Sequence, residues 1–293
     1  MKKNLSPDFL SSILGYVALV IAGIEKSVEV YSPTGNCNQM LAEFPLISDN
    51  PILVFVDGMI IACAALQSCW EYNAKDDSWS EIAEAPFSPT YQTGAVVFQE
   101  KVYVIDESTP QVFDSYSKTW SSWPSPPNKS GYGPSMAGWK DCVILLGGDT
   151  NYDGIQIFNI TEQTWTVMDS SQVSMILIWS SSLTLSNEKV LIVGSDSGPY
   201  YNSAAFYNPT DNSWLQLEKS TTNHHGSRLA QLGSRIFAID GYETDLVEEF
   251  LLETNTWQTV DVELLIKREG HHSVLALPAN LFSHLPGGCQ GVV

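Results

Sequence analysis

The sequence predicts an all-β fold, six four-stranded antiparallel sheets set in a ring, and three observations carry that prediction. An aromatic residue stands seven positions before a tryptophan five times, as Tyr72/Trp79, Phe113/Trp120, Phe158/Trp165, Tyr207/Trp214 and Phe250/Trp257. Such self-similarity marks a repeat architecture, in which each unit is too small to bury its own apolar face and must stack on its neighbours. Upstream of each aromatic lies an apolar run that stops at a small or polar doublet: Ala22-Gly23, Ala62-Cys63, Asp106-Glu107, Gly147-Gly148, Gly194-Ser195 and Asp240-Gly241. Finally, 293 residues accommodate six such repeats and leave no room for a second domain.

The stretch from Asp141 to Trp165 displays one unit. Val143 to Leu146 is an apolar run halted by Gly147-Gly148, and Ile155 and Ile157 alternate as a further strand after a polar loop. A turn from Ile160 to Gln163 then reverses the chain, so that Phe158 and Trp165 face each other as an aromatic cross-strand pair. Blade 1 repeats this with Val17 to Ala22, Val28 to Tyr31 and a strand near Gln39; Tyr31 precedes Cys37, a copy whose tryptophan is lost and whose spacing is one residue short. Blade 2 takes Ile52 to Val56, Met59 to Ala62, Cys69 to Tyr72 and Trp79 to Ile82. Blade 3 takes Gly94 to Phe98, Val102 to Ile105, Gln111 to Phe113 and the segment at Trp120. A Pro-rich linker, SSWPSPPNKSGYGP, holds too many turn formers to be a strand. Beyond it, Ser135 to Gly138 opens blade 4. Blade 5 is expected at Ile176 to Leu185, Val190 to Val193, Ala204 to Tyr207 and Trp214 to Leu217, and blade 6 at Arg228 to Leu232, Ile236 to Ile239, Val247 to Phe250 and Trp257 to Val260.

An open ring would present an unpaired sheet edge. Blade 1 lacks an innermost strand upstream of Val17, while GHHSVLAL near the C-terminus resembles HHGSRLAQL at His224. The expectation is that His272 to Leu277 pairs with Val17 to Ala22 and joins the termini. Residues 15–278 then form the ring and 279–293 an irregular C-terminal cap. Lys2 and Lys3 ahead of the uncharged Phe9 to Ile24 look like a secretory signal, but Pro7 and Asp8 interrupt it and Val17 to Gly23 is needed as a strand. Residues 1–14 are therefore expected to be a poorly ordered leader or a shortened signal.

The spaced aromatic and tryptophan, the preceding doublet and the repeat length resemble the kelch-repeat family over nearly the whole chain, although the family's double glycine is intact only at Gly147-Gly148. The resemblance implies a six-bladed kelch-type β-propeller, four antiparallel strands per blade, with the C-terminal strand joining blade 1. Ubiquitin ligase adaptors of this family place helical dimerisation domains before the propeller. Since this chain shows none, the expectation is a free-standing kelch-like protein without BTB or BACK domains.

With this topology the loop after a blade's second strand and the loop leading to the next blade emerge on one face. They carry Trp123, Tyr132, Asp149, Tyr152, Asp153, Tyr200, Tyr201, His224, His225, Tyr242, Glu243, Asp245, Arg268 and His271. Aromatic side chains beside polar groups are what interfaces enrich. These residues are the candidate partner-binding set, and a noncatalytic protein-binding module is the expected function. The alternative is an enzyme or carbohydrate-binding protein using the central channel.

Composition bounds the partner. Fourteen basic against 33 acidic residues give a net charge of −19, which repels nucleic acid and anionic membrane surfaces and favours a basic or neutral protein surface. The same acidity also serves solubility alone. Neither nucleic acid binding nor stable membrane insertion is expected, and a monomer is. The His224-His225 and His271-His272 pairs occupy equivalent repeat positions and read as structural rather than metal-binding. Asp106 and Asp240 stand at doublet positions near the axis and could meet a cation, but are expected to be solvated. No nucleophile elbow or phosphate-cradling loop is present, and neither a catalytic residue nor a cofactor is assigned. Among five cysteines, Cys63 and Cys69 flank a short loop with Cys37 in the neighbouring blade, so that a local disulfide among the three competes with buried thiols. Sequons at Asn4, Asn128 and Asn159 point outward, yet both an extracellular and a cytoplasmic setting fit.

Overall fold

The computed structural model describes residues 15–292 except 22–24, 49, 107–108, 130, 148–153, 170, 172, 174, 197, 242–243, 269–271, 287–288 and 290. Six four-stranded antiparallel sheets form a propeller. Blade 1 contains β1 (Tyr16–Ile21), β2 (Val28–Tyr31) and β3 (Gln39–Leu41). Blade 2 contains β4 (Ile52–Val56), β5 (Met59–Cys63), β6 (Ser68–Asn73) and β7 (Ser78–Glu84). Blade 3 follows with β8 (Gly94–Phe98), β9 (Lys101–Ile105), β10 (Gln111–Asp114) and β11 (Thr119–Ser122), and blade 4 with β12 (Ser135–Trp139), β13 (Cys142–Leu146), β14 (Ile155–Asn159) and β15 (Thr164–Val167). Blade 5 is β16 (Ser181–Thr184), β17 (Val190–Val193), β18 (Ala204–Asn208) and β19 (Ser213–Gln216). Blade 6 is β20 (Arg228–Leu232), β21 (Arg235–Gly241), β22 (Thr244–Leu251) and β23 (Thr256–Val260).

The last strand, β24 (Ser273–Pro278), adds to blade 1 as its innermost strand, in the order β24-β1-β2-β3. Its register runs from Tyr16↔Pro278 to Ile21↔Ser273, so the termini close the ring as expected. No sheet edge is left at the join. Beyond β24 the tail makes a 3₁₀ turn (Ala279–Phe282), and Val292 exchanges two backbone hydrogen bonds with Tyr16. Cys289 is disulfide-bonded to Cys37, across a sequence separation of 252.

Each repeat aromatic is the register partner of its tryptophan: Tyr72↔Trp79, Phe113↔Trp120, Phe158↔Trp165, Tyr207↔Trp214 and Phe250↔Trp257. Their ring centroids lie 4.9 to 5.2 Å apart, a geometry that adds about 0.5–1.5 kcal/mol per pair beyond area burial. Several indoles also bridge to the chain entering their own blade. Trp79, Trp165 and Trp257 donate through Nε1 to the carbonyls of Ala42, Pro124 and Glu218. Second strands such as β13 and β17 are apolar throughout because each blade is covered on both faces, and Val190–Val193 is wholly buried.

One element differs from expectation. The predicted strand at Ile176 to Leu185 shortens to β16. The apolar residues ahead of it belong to the linking segment, where Leu177 is buried in the core between blades 4 and 5. Trp179 has φ +57 and turns the chain there. The cysteine alternatives also resolve: Cys63 is bonded to its cross-strand partner Cys69, Cys37 to Cys289 instead, and Cys142 remains a free thiol.

Candidate functional site

Four aromatic side chains stand two or three residues ahead of an inner strand in successive repeats: Tyr91 before β8, Tyr132 before β12, Trp179 before β16 and His225 before β20. They form an arc. Tyr91 stacks on Tyr132 with centroids 5.2 Å apart and lies 6.4 Å from Trp179, and Trp179 meets His225 edge-on at 6.0 Å. Tyr201, from the loop between β17 and β18, stacks on His225 at 5.7 Å. The arc is held by a staircase of backbone hydrogen bonds. Gly133 donates to the Tyr91 carbonyl, Trp179 to that of Gly133, and Gly226 to that of Trp179. Gly133 has φ +58, and a Cβ there would stand 2.6 Å from the Trp179 ring, so this position requires glycine. Tyr91 and Tyr132 keep 44% and 43% of their surface exposed.

The arc borders a cavity of about 210 Å³ at the mouth of the central channel, where the first residues of all six inner strands converge, including Ile52, Gly94, Ser135, Ser181, Arg228 and Ser273. Inter-blade hydroxyl bonds tie this rim together. Ser135 and Ser182 share a hydrogen bond, and Ser273 donates to the Pro51 carbonyl.

Two buried polar groups flank blade 6, one with the segment that links it to blade 5 and one with blade 1. The His224 ring nitrogen Nε2 lies 2.9 Å from Glu248 Oε2, and the Thr221 and Thr222 hydroxyls donate to the same carboxylate. Burial works to raise the Glu248 carboxyl, but the hydrogen bonds from His224, Thr221 and Thr222 outweigh it and hold the pKa at about 2. Arg268 donates to Glu29 from Nε and Nη2, at 3.2 and 2.6 Å, with both side chains fully buried. Asp240 accepts the backbone N–H groups of Gly241 and Arg268 at 2.7 and 3.1 Å. Burial nonetheless raises its carboxyl to about 7. Asp240 is therefore enclosed rather than solvated, a correction to the expectation from its loop position. It takes φ +56 where the equivalent Gly147 and Gly194 have +58 and +74.

The fourteen predicted residues divide into groups. Tyr132, Tyr201 and His225 lie on the arc, with His225 Nε2 3.7 Å from Asp196. Tyr200 is half-buried against the core between blades 4 and 5, and Asp245 is half-exposed on β22. Trp123, His224 and Arg268 are buried and offer a partner no surface, so their assignment is corrected. Trp123 packs on Phe158 at 4.8 Å and on Tyr103, donating Nε1 to the Val104 carbonyl. Asp149, Tyr152, Asp153, Tyr242, Glu243 and His271 lie outside the described residues. Sequence reasoning missed Tyr91 and Trp179, although their alignment with Tyr132 and His225 ahead of each inner strand was available as a signal.

Among the described residues no three His, Cys, Asp or Glu side chains converge as a metal site, and no helix is long and apolar enough to cross a membrane. Comparison with curated proteins finds Kelch-like protein 21 of Homo sapiens, 23% identical over 270 residues that span 85% of this chain and 44% of that protein. The Bos taurus and Mus musculus proteins of that name match over the same shares at 22% identity. The six-bladed propeller and this similarity over 85% of the chain together support a kelch-repeat propeller. The chain spans less than half the length of these relatives. No protein-family model matches it. The propeller fold and the kelch-like relatives support a protein-interaction propeller in general.

Proposed function

We propose that this kelch propeller is a noncatalytic binding module that docks a protein partner on the arc of Tyr91, Tyr132, Trp179, His225 and Tyr201. The observation that carries the reading is the arc itself: adjacent aromatic side chains, two of them nearly half exposed, held in place by backbone bonds between consecutive blades. Rigid aromatic groups bury large area at small entropic loss, which is why they recur as interface anchors. The net charge of −19 favours a basic or neutral partner surface. A catalytic reading has less support, because His224 and Glu248 are enclosed and committed to each other, and Asp240 to backbone donors.

The test is affinity purification with mass spectrometry, comparing wild type with Tyr91→Ala, Tyr132→Ala and Tyr201→Ala. Each anchor removed should weaken capture by about tenfold or more, with the thermal midpoint nearly unchanged. Capture that survives the triple variant at full strength would remove the arc from the binding surface.

A further inference from the structure

The cavity at the channel mouth has a charge balance opposite to that of the chain. The protein holds 33 acidic residues, yet Arg228 is the only charged side chain among the described residues lining the cavity. Among the described residues its guanidinium meets neutral oxygens: Nη1 donates to the carbonyls of Gly226 and Ser227 at 3.2 and 3.1 Å, and Nη2 reaches Asn50 Oδ1 at a long 3.4 Å. The chain's two other arginines each hold a carboxylate, Arg235 on Glu249 and Arg268 on Glu29. Burial lowers the Arg228 pKa to about 10, which leaves it charged at neutral pH.

Asn50 supplies a second, independent observation. It is 7% exposed and turns its oxygen toward Arg228, which leaves Nδ2 as a buried donor with no acceptor among the described residues. Buried donors are ordinarily satisfied, so one left open beside a cation marks a place for an acceptor. The cavity, about 210 Å³, is far larger than the roughly 10–15 Å³ needed for one water. The fork of a guanidinium matches a planar or tetrahedral group bearing two oxygens, and an adjacent amide N–H adds a directional third contact.

We propose that the channel mouth binds a small free oxyanion, a carboxylate or phosphate group, held between Arg228 and Asn50. The overall charge of −19 opposes general attraction of anions, so saturable uptake would report this site rather than the surface.

The experiment is isothermal titration calorimetry on the purified full chain with sodium acetate, malonate and inorganic phosphate at constant ionic strength, and acetamide as the uncharged control. At least one oxyanion should bind saturably and acetamide should not; tighter binding of a carboxylate or of phosphate assigns the ligand class. Asn50→Asp is the deciding variant. It keeps the oxygen that faces Arg228 and installs a resident carboxylate, so the fold should be at least as stable while affinity falls by about tenfold or more. Arg228→Gln should lose affinity similarly, and if that variant fails to fold, Asn50→Asp alone decides. The proposal is overturned if no probe saturates, if chloride displaces the probes equally well, or if Asn50→Asp binds as wild type does.

Discussion

Individual side chains in this propeller separate into those that hold it together and those that face outward, and Trp123 and Tyr132 mark the two ends. Both come from the Pro-rich linker, but Trp123 is 6% exposed among Tyr103, Phe158 and Trp165, whereas Tyr132 stands on the rim. Trp123→Ala should therefore cost about 3–5 kcal/mol in chemical denaturation. Tyr132→Ala should stay within roughly 0.5 kcal/mol, as surface changes usually do. Equal losses would contradict this division. Asp240 gives a pH-dependent expectation. Its carboxyl is raised to about 7 by burial, so between its ordinary value and 7 the folded state binds the proton more tightly than the unfolded chain, and stability falls as pH rises through that window. Glu248 works in the opposite direction: held at about 2, it stabilises above its ordinary value and that stability is lost as pH falls toward 2. Asp240→Asn removes only the first effect. Measured by urea midpoints at pH 5 and pH 8, the variant should gain on wild type as pH rises, by a few kcal/mol at most at about 1.4 kcal/mol per pKa unit. The comparison across pH cancels the constant loss of one acceptor, and a difference that does not grow toward pH 8 would refute the assignment.

At the level of elements, the decisive contact is β24 on β1. A propeller strand ordinarily pairs with sequence neighbours, but β24 crosses the whole chain to pair Val274 with Val20 and Leu277 with Val17. Leu277 is fully buried in the core shared by blades 1 and 2. Ending the chain before Ser273 would remove this strand and expose the full length of β1, whose residues are apolar from Val17 to Ile21. Unpaired apolar edges template association. Such a truncation should self-associate in size-exclusion chromatography with light scattering, whereas a monomer with wild-type denaturation behaviour would show that β24 does not close the ring. The staircase under the aromatic arc is the other inter-blade device. Gly133, Trp179 and Gly226 each donate to the carbonyl of the preceding linking segment, so one displaced loop would disturb the next.

For the molecule as a whole, two disulfides distribute their effects differently. Cys63–Cys69 ties adjacent strands within one blade, while Cys37–Cys289 fastens the tail to blade 1 across 252 residues and restricts the unfolded chain far more. Cys289→Ser should cost roughly 2–5 kcal/mol. Alkylation of the denatured chain without reductant should label a single thiol, Cys142, and with reductant all five. Three or more labelled thiols without reductant would break the disulfide assignment. In the native state Cys142 should react slowly at neutral pH, since burial first, and then Asp141 and Glu162, push its thiol up.

The sequence by itself determined the repeat: its aromatic and tryptophan spacing is a local property of a hairpin, and local register survives translation into structure, as Phe158 opposite Trp165 shows. It also determined the closure, because GHHSVLAL carries the pattern of an inner strand with no sheet of its own. Tertiary structure alone decided which loop residues reach solvent. His224 and His225 are neighbours in sequence, yet one is enclosed with Glu248 and the other stacks on Tyr201. Nor could spacing place Asn50 beside Arg228, 178 residues away, or Cys37 beside Cys289. Burial and pairing of this kind depend on which blades become neighbours around the axis, a long-range outcome of packing that no window of the sequence contains.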